Sequence, residues 1–263
     1  MPSADSDLIQ RAVTGILFLL VMVSSILISF WTAWAIFGLI VVLGSLEMAQ
    51  LLSLIKKWGY AIINLLIFIG CSLPELYSIL PVPMFLVIGL MLNALVLRQN
   101  VSPMQSRSLG LLGTILIPLS FALLLSPVFS DTDRSGILFF FILLWTNDTM
   151  AYVSGRSLGK RPLAPRISPK KTWEGFLGGV LSSIILAILL SDLFEFGKGQ
   201  AMIFGLLVST FGTLGDLTES AIKRAVNVKD SGGLLPGHGG VLDRFDGVFL
   251  AAPIVWLFLR YWT

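Results

Sequence analysis

The sequence predicts an all-α protein that crosses a membrane many times, on three observations. Of its 263 residues, 56% are hydrophobic and only 13% charged, against about 25% charged in ordinary soluble domains. Several apolar runs reach the roughly 20 residues that a helix needs to cross a hydrocarbon core about 30 Å thick. Most of the basic residues fall in alternate loops instead of being spread evenly over all of them.

Taken in order, the runs predict about nine helices, at 12–30, 32–54, 59–73, 79–97, 109–129, 136–154, 174–194, 201–222 and 246–262. The first outruns the apolar core of a secretory signal, about 7–15 residues, and no small-residue cleavage pattern follows it, so it reads as a retained span. The third is the weakest, because Pro74 and Glu75 cut the apolar run 65–71 short, which predicts a short or tilted helix. With this spacing, all of the 18 basic residues except Arg134, Lys198 and Arg260 fall on one side of the membrane. Positive charge favours the cytoplasmic side, which predicts a cytoplasmic N-terminus and an outward C-terminus. A miscounted helix would break the alternation.

The same composition excludes several classes. One cysteine, Cys71 in an apolar segment, allows neither an intramolecular disulfide nor a cysteine metal cluster. A net charge of +3 gives no ground for a nucleic-acid partner. Residues 1–130 hold about five of the predicted helices and read as a scaffold or an oligomer interface; a homodimer and internal packing are both open to them. Residues 131–263 read as the catalytic region, with cytoplasmic loops at 155–173 and 223–245.

Ionisable side chains inside membrane helices are costly, and their default reading is functional unless they reach water at a helix end. Asp148, in Trp145-Thr146-Asn147-Asp148, follows an apolar run and is expected to face the interior near the cytoplasmic end. Thr213, Asp216, Ser220 and Lys223 follow i, i+3, i+7 and i+10, with Glu219 three after Asp216, which gives one polar helix face. Asp243 and Asp246 are again three apart at a helix start, whose positive dipole end suits phosphate. Glu47 stands alone near the end of an apolar helix and reads as solvated or locally bonded. The plain alternative for the acids is an Asp216–Lys223 ion pair and a capping Asp243. It leaves unexplained why Asp148, Asp216, Glu219, Asp243 and Asp246 gather at one membrane face among many bases. Carboxylates hold a hard divalent cation through oxygen, and neighbouring bases take phosphate charge, so this combination suits a magnesium–nucleotide site.

The loop 229–240 has glycine at 232, 233, 237, 239 and 240, which lets backbone approach a ligand and aim N–H groups at phosphate; a plain linker would look similar. It lacks the Gly-Lys-Ser/Thr ending of a Walker A loop. In the other long loop, Ser168 and Thr172 interleave with Lys170 and Lys171, which suits either an orientation signal with anionic-lipid contact or an anion site.

Ser220-Ala-Ile-Lys223-Arg224, Lys229-Asp230 and Pro236-Gly-His238-Gly239-Gly240-Val-Leu-Asp243-Arg244-Phe-Asp246 together span 27 consecutive residues. They resemble the signature of the phosphatidate cytidylyltransferases, or CDP-diacylglycerol synthases, without departure at a charged position. Asp148-Thr-Met-Ala-Tyr152, Ser168-Pro-Lys-Lys-Thr-Trp-Glu-Gly175 and Gly215-Asp216-Leu217 are also similar to that family. The motifs occupy roughly the C-terminal half; the first 130 residues are similar only as generic membrane helices.

The resemblance implies a multi-pass membrane enzyme, in a bacterium of the inner membrane, that transfers CMP from CTP to phosphatidic acid at a cytoplasm-facing site. It also implies a requirement for Mg2+ and a second, monovalent cation such as K+. Asp216, Glu219, Asp243 and Asp246 are then the expected metal ligands, with Asp148 lining the same cavity. Lys223, Arg224, Lys229 and Arg244 would contact phosphate. Ser168, Lys170, Lys171 and Thr172 would close over the nucleotide or headgroup, and Ser220, Gly239 and Gly240 would contact substrate. His238, the only histidine, is expected to bond within the loop, because an ionised phosphate nucleophile needs no base.

Three other readings share features with this one. A CTP-dependent polyprenol kinase would release CDP and no pyrophosphate. A secondary transporter would show matched broken helices around a midplane site. A CDP-alcohol phosphotransferase would carry a spaced Asp-Gly and Ala-Arg pattern that is absent.

Overall fold

The computed structural model describes residues 4–54, 56–73, 104–129, 135–226, 228, 231–232 and 239–262. Among them are eight α-helices and one two-stranded hairpin: α1 (Ala4–Ile28), α2 (Phe30–Leu51), α3 (Lys57–Ser72), α4 (Met104–Leu124), α5 (Ser135–Leu158), β1 (Pro162–Ala164), β2 (Ser168–Thr172), α6 (Trp173–Leu190), α7 (Lys198–Ala225) and α8 (Leu242–Trp262). The expected helix at 79–97 lies outside the described residues. Four helices, α2, α5, α6 and α7, are long and apolar enough to cross a membrane; Val13–Ile28, Lys57–Ser72 and Leu109–Leu124 are shorter apolar helices.

The chain forms two compact units, one of residues 1–126 and 225–245, the other of 127–224 and 246–263. Residues 225–245, most of the segment 223–245, group with residues 1–126.

In the first unit, α1 and α2 are separated at Ser29, not at residue 31 as the apolar pattern suggested. Ser29 is extended at φ −162° and accepts from Thr32 N, while Thr32 Oγ1 accepts from Ser29 N, a reciprocal capping box that starts α2. Helices α2, α3 and α4 pack through polar contacts embedded in apolar surface. Asn64 Nδ2 donates to Ser45 Oγ at 2.8 Å, Trp34 Nε1 to Ser72 Oγ at 2.8 Å, and the buried Tyr60 hydroxyl to Gly110 O at 2.7 Å. Lipid supplies no hydrophobic drive between spans, so such bonds and close packing hold helices together.

In the second unit, α5 and α6 pack through glycine. A Cβ at Gly179 would lie 2.8 Å from Asn147 O and 3.1 Å from Ala151 Cβ, so only glycine permits this approach. Phe129, Phe139, Phe140 and Phe204 are all buried and fill the space further along. On the opposite face of α6, Leu177, Leu181, Ile185 and Leu189 recur every fourth residue and are exposed, which is the surface a helix presents to lipid.

The segment 155–173, expected as a loop, is partly ordered. Helix α5 continues to Leu158, and β1 and β2 form an antiparallel hairpin pairing Pro162 with Thr172 and Ala164 with Ser168. Glu174 anchors it by accepting from Lys160 N at 3.0 Å and Arg161 N at 3.2 Å. Hydropathy gives no signal for a hairpin built from Ser, Pro and Lys.

Candidate active site

Helix α7 carries the polar face its spacing predicted, and the structure determines which side chains answer it. Asp216 Oδ2 is in an ion pair with Lys171 Nζ, contributed by β2, and Asp216 Oδ1 accepts from Ser220 Oγ at 3.3 Å. Glu219 is paired one turn along with Lys223, with Nζ 2.5 Å from Oε2, the favourable order of an i, i+4 pair. The plain alternative, an Asp216–Lys223 pair, is not what forms. Helix α7 puts Lys223 beside Glu219, and Asp216 takes its cation from the hairpin.

The second turn of α8 brings Asp246 to the same unit's acids. Its carboxylate interacts electrostatically with Asp216, Glu219 and Asp148, and Oδ1 accepts from Gly247 N at 2.6 Å. The close approach depends on Gly215, because a Cβ there would lie inside contact distance of the Asp246 carbonyl oxygen and 3.0 Å from Gly247 Cα. Asp148 departs from expectation: it is exposed, and the residue turned inward is Asn147, 1% exposed. Asn147 Nδ2 donates to Thr213 Oγ1 at 3.3 Å and to Asp148 Oδ1 at 3.4 Å, which ties α5 to the polar face of α7.

Asp243 holds backbone N–H groups of the glycine-rich segment. In the N-terminal unit its Oδ2 accepts from Ser231 N at 3.2 Å and Gly240 N at 2.8 Å, so it holds the glycine-rich segment. Gly239 sits at φ +79°, and a Cβ there would be 2.8 Å from Asp243 Oδ2, two reasons for glycine at one position. Glu47 departs furthest from its reading as solvated or locally bonded. It is 4% exposed and accepts from Val241 N and Leu242 N, each at 2.9 Å, nearly two hundred residues along the chain. The start of α8, expected to offer its N–H groups to phosphate, thus already spends those of residues 240–242 on two carboxylates. The signal for Glu47 was present as a lone acid in an apolar helix.

The remaining candidates are more peripheral. Thr172 caps α6, with Oγ1 accepting from Gly175 N at 3.1 Å. Arg224 Nε donates to Ile167 O at 3.4 Å. Lys170 and Arg244 are exposed and Ser168 half-buried. Lys229 and His238 lie outside the described residues.

The pattern of the Cytidylyltransferase family matches residues 9–262. The chain belongs to that family. A phosphatidate cytidylyltransferase of Bacillus subtilis (strain 168) is 34% identical over 273 aligned positions, covering 98% of this chain and 99% of that protein. One of Rickettsia conorii (strain ATCC VR-613 / Malish 7) is 40% identical over 159 positions, covering 57% of this chain and 69% of the relative. One of Staphylococcus aureus (strain COL) is 45% identical over 132 positions, covering 48% and 51%.

For a cytidylyltransferase the donor set of Asp148, Asp216, Glu219 and Asp246 has the right chemistry for a hard divalent cation, since every donor is a carboxylate oxygen. Among the described residues no three acids converge on one point as metal ligands. Lys171 and Lys223 instead supply the positive charge opposite Asp216 and Glu219. The residues therefore fit such a cation by chemistry, and Lys171 is the side chain that would have to yield Asp216 to it.

Proposed function

We propose that the chain transfers CMP from CTP to phosphatidic acid, forming CDP-diacylglycerol and pyrophosphate. The observation that carries this reading is the group of four carboxylates, Asp148, Asp216, Glu219 and Asp246, answered by Lys171 and Lys223. It occurs in a chain whose Bacillus subtilis relative, matched over nearly its whole length, is a phosphatidate cytidylyltransferase.

A phosphate oxygen of the lipid attacks the α-phosphorus of CTP, the bond to the β-phosphate oxygen breaks, and pyrophosphate leaves. The attacking oxygen is already ionised near neutral pH, so the obstacle is repulsion between two anions and their alignment in line, not proton removal. Lys171 and Lys223 screen that repulsion. Arg224 would contact departing phosphate, while Ser168 and Lys170 would bind from the hairpin; Lys229 and Arg244 are candidates for phosphate on their charge and their place in the signature alone. Asp216, Glu219 and Asp246 would hold Mg2+, with Asp148 among the acids around it, and the ion would supply Lewis-acid neutralisation of phosphate charge. A monovalent cation such as K+ would also be required, as the resemblance to the family implies.

The reading extends to topology. Nine spans with a cytoplasmic N-terminus, an outward C-terminus and a cytoplasm-facing site account for the one-sided distribution of the 18 basic residues. Purified protein given phosphatidate, labelled CTP and magnesium is expected to yield labelled CDP-lipid and one pyrophosphate per turnover. Pyrophosphate-free release of CDP would replace the reading with a lipid kinase, and the absence of any labelled lipid across chain lengths would overturn it.

A further inference from the structure

Glu47 belongs to a helix with no other charged residue between Phe30 and Leu51, in the half of the chain that the motifs leave untouched. Its carboxylate is buried and receives three donors, Val241 N and Leu242 N at 2.9 Å each and Ser231 Oγ at 3.4 Å. The site is shaped to admit it. A Cβ at Gly232 would stand 2.8 Å from Glu47 Oε1, and one at Gly240 would stand 2.5 Å from Glu47 Oε2. One turn earlier on α2, Gly44 lets Leu242 approach, with Cδ2 3.2 Å from where a Cβ would be.

We propose that Glu47 is a positioning residue for the glycine-rich segment, whose neck its buried carboxylate closes by joining Ser231 to the first residues of α8. Asp243 makes the parallel connection from Ser231 N to Gly240 N. Two carboxylates therefore tie residue 231 to residues 240–242, and the chain between them includes His238 and Gly239 of the signature. Closing the neck fixes residues 231–232 and 239–242 before any ligand binds, so less of their freedom is lost on binding. It also satisfies N–H groups at the start of α8 with an anion, which the helix dipole favours. The N–H groups of residues 240–242 are thereby already satisfied, and a ligand phosphate must take its donors elsewhere.

The inference rests on the CMP transfer proposed above, and the test separates the two. Full-length wild type, Glu47→Gln and Ser231→Ala are compared in lipid nanodiscs by peptide-resolved amide exchange and by steady-state kinetics with CTP and phosphatidate. Glutamine keeps the volume but sets an amide N–H2 against a backbone N–H. Losing charge-assisted bonds is expected to raise exchange at 240–242 and the KM for CTP by about ten-fold or more. The KM for phosphatidate and exchange elsewhere in α2 and α8 stay as in wild type. Ser231→Ala shifts both readouts the same way by less, and decides the matter alone if Glu47→Gln does not accumulate. Unchanged exchange at 240–242, an even rise across all helices, or a raised exchange with unaltered KM for CTP would each overturn the proposal. A wild-type protein that forms no CDP-lipid overturns the transfer reading, and the exchange arm still decides the clamp.

Discussion

Gly215→Ala places one methyl group where α7 and α8 approach most closely around the acids. The added Cβ would lie 3.0 Å from Gly247 Cα and closer still to the Asp246 carbonyl oxygen. Carbon pairs rest at about 3.5–4.0 Å, so the two backbones must part by roughly 0.5–1 Å. The neighbour on one side is Asp216 and on the other Asp246, so the displacement falls directly between two of the proposed cation ligands. Overpacking of this kind costs about 1–3 kcal/mol of stability, and a 1 Å misplacement of reacting groups costs on the order of 10²-fold in rate. The expected result is a kcat about 100-fold down, with a raised magnesium requirement, in protein that still extracts and purifies as folded. Gly199→Ala is the matched control, since it lies on the same helix with nothing within 4 Å of the added atom; it should be neutral or stabilise by up to about 1 kcal/mol. Turnover in Gly215→Ala equal to wild type would refute the idea that this helix spacing sets the acid geometry. So would an equal loss in Gly199→Ala.

Lys171→Met removes the cation opposite Asp216 and is expected to raise the KM for CTP by about 10–100-fold, with Lys171→Arg recovering part of it; steady-state kinetics at saturating phosphatidate measure this. Asp246→Asn should abolish turnover under saturating magnesium, whereas His238→Ala should lose far less; equal and complete loss would sink the ranking of metal ligands above the histidine. Removal of divalent cations with a chelator should stop CDP-lipid formation, and added Mg2+ should restore it; activity that persists after exhaustive chelation contradicts the assigned role of the carboxylates.

Much of the fold was legible because it rests on local composition. Apolar runs marked the described helices to within about five residues, except that α1 begins at Ala4 and not near residue 12, since a span must satisfy its backbone internally and present apolar side chains along its length. The errors lie where short-range chemistry competes with hydropathy. Ser29 and Thr32 moved a helix boundary through a capping box, and a hairpin of Pro162–Ala164 with Ser168–Thr172 arose in a stretch with no apolar alternation. The polar face of α7 was also legible, because i, i+3 and i+7 positions share a side of any α-helix whatever surrounds it.

By itself, the sequence determined that this is a helical membrane protein with acids and bases concentrated in its C-terminal half, and which spacings those residues keep. Only the tertiary structure decided the pairings. Lys171 reaches Asp216 across 45 residues, and Glu47 reaches Val241 across 194. Such contacts depend on how closely helices approach, and that is set by glycines such as Gly215 and Gly240 whose neighbours are invisible along the chain. A buried carboxylate must find donors or stay unformed as an ion. Periodicity reveals that Glu47 is an expensive residue, but only packing reveals that the start of α8 supplies the donors that stabilise it.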